Sequence, residues 1–141
     1  LNEITSFKIN KLFRKLTKDK IKQEKILLIK GRKFNISKYY DGVARFDFND
    51  LCNKNIGAED YIKIADVCKY ILIENLPNFY NNNSNQQQRF ITLIDIIYEK
   101  KLKLTISSAS HLDKLTSADS LSEPFKRTLS RLHELTAHSD T

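Results

Sequence analysis

The chain has no methionine and no tryptophan, and only three glycines, two prolines and two cysteines in 141 residues. Each scarcity excludes something. A phosphate-binding loop needs several backbone N–H groups bared by glycine, followed by Lys and then Ser or Thr. Gly31, Gly42 and Gly57 stand apart, and none begins such a run, so these residues cannot form a P-loop. Two cysteines, Cys52 and Cys68, are too few for a secreted disulfide framework and fit a reducing, cytoplasmic setting. They also lack the partners of a zinc pattern. No apolar run approaches the length that crosses a bilayer, which argues against an integral membrane protein. The first residues (LNEITSFKINKLFRK) lack the apolar segment of a secretory signal. A chain without Met that starts at Leu1 is expected to be a piece of something longer.

Charge is plentiful and uneven. Lys and Arg number 24 against 17 Asp and Glu, a net of +7. Residues 1–40 carry a net of +9 and residues 41–141 a net of −2. The division suggests a basic arm over 1–40 and an α/β portion over 41–141. Such an arm suits nucleic acid or another polyanion. However, Lys outnumbers Arg 18 to 6, and Lys, Asn and Ile together make 46 residues, as the codon usage of an AT-rich, bacterial genome would also produce.

Within the arm, Ile9, Leu12, Phe13 and Leu16 recur at helical spacing, with Lys8, Lys11, Arg14, Lys15 and Lys18 opposite. Two β-rich runs, 25–30 (KILLIK) and 33–37 (KFNIS), flank Gly31-Arg32 and predict a hairpin with a type II′ turn. Next, Ala44, Phe46 and Phe48 alternate with Arg45 and Asp47, predicting a strand with one buried face. Residues 50–55 are turn-rich. Gly57 precedes a helix carrying Tyr61, Ile64, Ala65 and Cys68 on one face. The run 70–73 (YILI) predicts a second strand ending near Glu74 and Pro77. The polar tract 78–88 reads as an exposed loop. Phe90, Leu93, Ile94, Ile97 and Tyr98 show strong helical periodicity, with Lys100 and Lys101 beyond. Residues 102–107 (LKLTIS) predict a third strand, and Phe125, Leu129, Leu132 and Leu135 a last helix. Strand, helix, strand, helix, strand is a βαβαβ order, which predicts a partial parallel sheet of P-loop NTPase-like α/β type. Ligands of such sheets lie beyond the carboxyl ends of the strands, here near Glu74-Asn75 and Ser107-Ser108.

Few constellations survive scrutiny. Glu74 after an apolar strand resembles a magnesium-holding carboxylate but lacks a phosphate cradle beside it. His133-Glu134 with His138 mimics a zinc helix, yet five residues turn the two imidazoles roughly 140° apart. His111 stands alone, and no metal site is expected. Among six arginines, Arg89 opens the long helix, and Arg127 and Arg131 share a face of the last one. The latter pair suits phosphate or carboxylate, or else ion pairs with Glu123 and Glu134.

Four ordered blocks nevertheless carry a resemblance: 42–52 (GVARFDFNDLC), 56–65 (IGAEDYIKIA), 89–104 (RFITLIDIIYEKKLKL) and 125–135 (FKRTLSRLHEL). They resemble the C-terminal part of the ZapE cell-division ATPases and their mitochondrial AFG-one-like counterparts, over about residues 25–135. The resemblance implies an ATPase of AAA+ type whose Walker A and Walker B segments precede this region. ATP and magnesium would then belong to the complete family protein, with none expected for this chain alone. Implied partners are an N-terminal ATPase half and division-machinery or membrane-associated proteins. Arg89, Arg127 and Arg131 fall on family arginines, so each is a candidate phosphate-sensing residue. The chain departs from the family at Lys69 (a histidine there), Glu74-Asn75 (Asp-Gly), Gln86 (an acid) and Ser110-His111-Leu112 (Pro-Pro). The non-enzymatic alternative is a basic module that binds nucleic acid or another polyanion through its N-terminal arm.

Overall fold

The computed structural model describes residues 6–137 apart from 54 and 109. It is a mixed α/β fold built on one five-stranded sheet. Helix α1 (Ser6–Thr17) precedes β1 (Gln23–Ile29), β2 (Arg32–Tyr40) and β3 (Val43–Asp47). Then follow α2 (Phe48–Cys52), α3 (Ala58–Asp66), β4 (Tyr70–Leu76), α4 (Ser84–Glu99), β5 (Lys103–Ser108) and α5 (Ser122–Thr136). The strands lie side by side in chain order; β1, β2 and β3 run antiparallel, and β3, β4 and β5 parallel. The expected parallel βαβαβ portion is present, and the hairpin continues its sheet. No described helix is long and apolar enough to cross a membrane.

Both hairpin turns follow from local backbone chemistry. Ile29 pairs with Arg32, so the central residues are Lys30 and Gly31, at φ 51° and 76°. Left-handed geometry at both positions makes this a type I′ turn, one residue earlier than the expected II′ turn at Gly31-Arg32. The I′ form matches the twist of the flanking strands. Tyr40 pairs with Val43 around Asp41-Gly42, at φ 46° and 90°, a second I′ turn. A Cβ on Gly42 would meet the Lys69 side chain at 3.1 Å, and the Gly42 carbonyl accepts the Lys69 N–H at 2.7 Å. Gly42→Ala is therefore expected to destabilise the fold by more than about 1 kcal/mol, read as a lower urea midpoint.

The parallel strands are covered on both faces. Phe46, Ile71, Ile73, Leu104 and Ile106 pack with the buried sides of α3, α4 and α5. On the opposite face, Ile9 and Phe13 of α1 pack on Val43, Tyr70 and Leu72. This corrects the prediction of one buried face for the first parallel strand: residues 43–46 are all buried because α1 roofs the second side. The turn-rich segment expected over 50–55 begins with the short helix α2, whose first turn is capped by the Asp47 carboxylate on the Asn49 N–H.

The tract expected as exposed loop over 78–88 is also corrected. Phe79 is wholly buried among the rings of Phe48, Phe90 and Phe125, with centroids 5.6–6.0 Å apart. Helix α4 starts within the tract, and buried Gln87 bonds Ser117 Oγ at 2.7 Å and the Ala118 N–H at 2.9 Å. The apolar faces predicted for α4 and α5 are core: Phe90, Leu93, Ile94, Ile97, Phe125, Leu132 and Leu135 are buried.

Candidate functional site

Beyond the carboxyl ends of β3, β4 and β5, the chain's own polar groups close the edge. Asn75 sits at φ 63°; its N–H donates to Ser107 Oγ (3.1 Å) and its amide to Asp47 Oδ1 (2.6 Å). Beside them lies a buried ion pair that the sequence reading did not find. Arg45 holds both Glu74 oxygens, Nε to Oε1 at 2.5 Å and Nη2 to Oε2 at 2.8 Å. Nη2 also donates to Asn10 of α1, and the guanidinium stands 5.1 Å from the centre of the Phe13 ring. Glu74, weighed above as a magnesium carboxylate, is thus a guanidinium partner that fastens α1 to the sheet. The available signal was the charge of Arg45 between two apolar residues in a strand.

The hairpin overhangs this edge, because β2 extends past the end of β3. Between the overhang and α2 lies a cleft of about 730 Å³, lined among others by Arg32, Lys33, Asn35, Arg45, Asp50 and Asn55. Arg32 is committed to Asp60 at 3.0 Å, and Asp60 in turn accepts the Gly57 N–H at 2.8 Å, closing the N-terminus of α3. That helix start is consequently occupied by its own carboxylate. Of the three glycines, two make hairpin turns and the third this cap. Among the described residues, no group of His, Cys, Asp and Glu is arranged to hold a metal ion. So placed, none of the three glycines opens a glycine-rich phosphate loop.

The three candidate arginines fall into two places. Arg127 (3.4 Å) and Arg131 both bind the Asp95 carboxylate of α4, and Arg131 lies 4.6 Å over the Tyr98 ring. Their partner is therefore Asp95. Glu123 pairs with Lys126 at 2.9 Å, and Glu134 bonds Tyr98, raising that phenol's pKa. Arg89 is separate: its guanidinium donates to the Cys52 carbonyl at 3.1 Å, satisfying the end of α2. Because Arg127 is largely exposed and its bridge long, Arg127→Ala is expected to cost at most about 1 kcal/mol in a denaturant titration.

His133 bonds Asp113 at 2.7 Å, and His138 lies outside the described residues. Cys52 and Cys68 are both free and buried, and burial pushes each thiol from 9.0 up to about 12. The folded chain keeps these protons where an unfolded chain loses them. Their contribution to stability is full below pH 9 and declines as pH rises toward 12. Ellman's reagent at pH 8 should label neither thiol until the chain unfolds. The side chains of Lys11, Arg14 and Lys15 on α1, and of Lys18 just past its end, are exposed and have no ion-pair partner among the described residues.

The mixed sheet with its two parallel crossovers defines an α/β protein, and the four sequence blocks fall on β3 and α2, on α3, on α4 running into β5, and on α5. The family model for AFG1-like ATPase matches residues 1–140, and the chain belongs to that family. It is 27% identical over 135 residues to "Cell division protein ZapE" of Escherichia coli (strain K12), covering 96% of the chain and 36% of that protein. It is 30% identical over 109 residues to "Lactation elevated protein 1 homolog B" of Danio rerio, covering 76% of the chain and 22% of that protein. The chain thus spans about a third or less of the length of these relatives. No solved structure matches it.

Proposed function

We propose that the chain serves as the C-terminal part of an AFG1-like ATPase of AAA+ type, inactive alone and working with a half that carries the nucleotide cradle. The family match over residues 1–140 carries this reading. ATP and magnesium would be held by the other half, since Gly31, Gly42 and Gly57 are spent on two turns and a helix start and none begins a phosphate-binding run. Arg127 is the arginine best suited to meet phosphate, because it is exposed and reaches Asp95 only loosely, whereas Arg131 and Arg89 are held by their partners. The name of the Escherichia coli relative supports a role in cell division.

The test is co-expression with an N-terminal half containing Walker A and Walker B, followed by an ATPase assay. The reading expects no turnover by the chain alone and turnover by the pair, reduced in Arg127→Ala by about the thousandfold typical of phosphate-stabilising arginines. Turnover by the rigorously purified single chain would contradict it. If the pair is active and Arg127→Ala is unimpaired, the assignment passes to Arg89 or Arg131.

One observation favours a second reading. The exposed row Lys11, Arg14, Lys15 and Lys18, without ion-pair partners among the described residues, offers a polyanion contact that needs no catalysis. Binding through it would weaken steeply with salt, and changing the four residues to Gln would flatten that dependence. Absence of DNA binding at low salt removes this reading.

A further inference from the structure

We propose that the outward face of α1 docks on an anionic lipid bilayer, its cations lying on the headgroups and the Phe7 ring entering between them. This does not depend on the ATPase reading. It uses the cations of the polyanion reading and adds an observation that a nucleic-acid contact leaves unexplained. On a helix of 3.6 residues per turn, Phe7, Lys11, Arg14 and Lys15 fall within an arc of about 100°. The arc is centred opposite the buried Ile9 and Phe13. An apolar ring is out of place on the polar face of an amphipathic helix, yet Phe7 is 72% exposed among these cations. Lys18 follows just past the end of α1, and Ile21 beyond it is 83% exposed. The segment is therefore basic in the middle and apolar at both ends. It is also free of opposing charge, with no Asp or Glu from Ser6 to Lys18.

The fold presents this face without obstruction. Helix α1 packs on Val43, Tyr70 and Leu72, whereas α2, α3, α4 and α5 bury their apolar residues in the core on the other side of the sheet. Among the described residues, α1 is thus the outermost element on its side. Chemistry then selects the occupant. Duplex phosphates would use the cations but give the phenyl ring nothing to do. Single strands stack their bases on successive rings along a groove; here one ring stands on a convex helix, and Ile21 has no ring to offer. Three of the four cations are Lys, which meets a diffuse surface charge as well as Arg does, while only Arg14 carries the fork suited to bidentate contacts. An anionic bilayer uses every part: the cations are drawn to the headgroups and the apolar side chains enter the interface. Because Ile9 and Phe13 are already spent on the sheet, the helix rests on the surface, with Phe7 as its wedge.

Co-sedimentation of the whole chain with vesicles tests this. Phosphatidylcholine vesicles containing phosphatidylglycerol should bind the chain, pure phosphatidylcholine vesicles should not, and added salt should release it. Lys11→Gln with Lys15→Gln should weaken binding about tenfold or more and flatten the salt dependence. Phe7→Ser, at an exposed position that leaves the circular dichroism unchanged, should weaken binding about tenfold with the salt dependence kept. The chain has no Trp, so Phe7→Trp supplies a single reporter. Its emission should shift to the blue on anionic vesicles and be quenched by brominated acyl chains. No binding to anionic vesicles at low salt overturns the proposal, and binding to DNA under the same conditions would then assign the face to nucleic acid. Vesicle binding that Phe7→Ser leaves unchanged, or a Phe7→Trp emission that stays that of water, overturns it as well.

Discussion

Truncating Phe79 to Ala is expected to destabilise the chain by about 3–5 kcal/mol, a large part of the stability of a domain this size. The residue lies between β4 and α4, outside any helix or strand, yet it is wholly buried. Its ring meets Phe48 at 5.8 Å, Phe90 at 5.8 Å and Phe125 at 5.6 Å, and so ties α2, α4 and α5 together. Its carbonyl also accepts the Thr116 hydroxyl at 2.7 Å, which anchors the segment before α5. Removing the ring leaves a cavity whose walls belong to three helices and cannot easily collapse. Phe79→Leu, which keeps most of the volume, should cost much less. Urea denaturation followed by circular dichroism measures both; a loss within about 0.5 kcal/mol for Phe79→Ala would show that the ring is exposed.

The second large effect concerns the ion pair under α1. Arg45→Met leaves the mostly buried Glu74 carboxylate without its guanidinium, at an expected cost of about 3–5 kcal/mol. Combining Arg45→Met with Glu74→Leu should restore most of that loss, since neither charge then remains to be desolvated. Because Arg45 also holds Asn10 and lies over Phe13, the single variant should release α1 first. Hydrogen exchange would show this as faster exchange over residues 6–17 than over α4. Equal stability of the single and double variants would mean that the unpaired carboxylate is not the source of the cost.

Legibility in the sequence followed the range of the interactions. The stripes of α1, α4 and α5 were readable because residues three and four apart share a helix face. The parallel order of β3, β4 and β5 was readable because intervening helices force crossovers of one hand. The hairpin was readable, while its turn type was not. Gly31 supports several two-residue turns, and the pairing of Ile29 with Arg32 selects among them. Phe79 was lost in a polar tract, as composition cannot show which side chain of a loop turns inward. The arginines show the same limit. Spacing put Arg127 and Arg131 on one face, but offered Glu123 and Glu134 as partners, where packing of α4 against α5 supplies Asp95.

By itself the sequence determined the class: a mixed α/β chain, free of a P-loop, with four ordered blocks belonging to the AFG1-like ATPases. These rest on residue periods and spacings, which need no knowledge of the folded partner. Only the tertiary structure decided that Glu74 answers Arg45, that α1 roofs the sheet, and that the hairpin strands β1 and β2 extend the parallel strands into one sheet. Each of those depends on groups far apart in the chain, and burial sets their strength by removing water from between them.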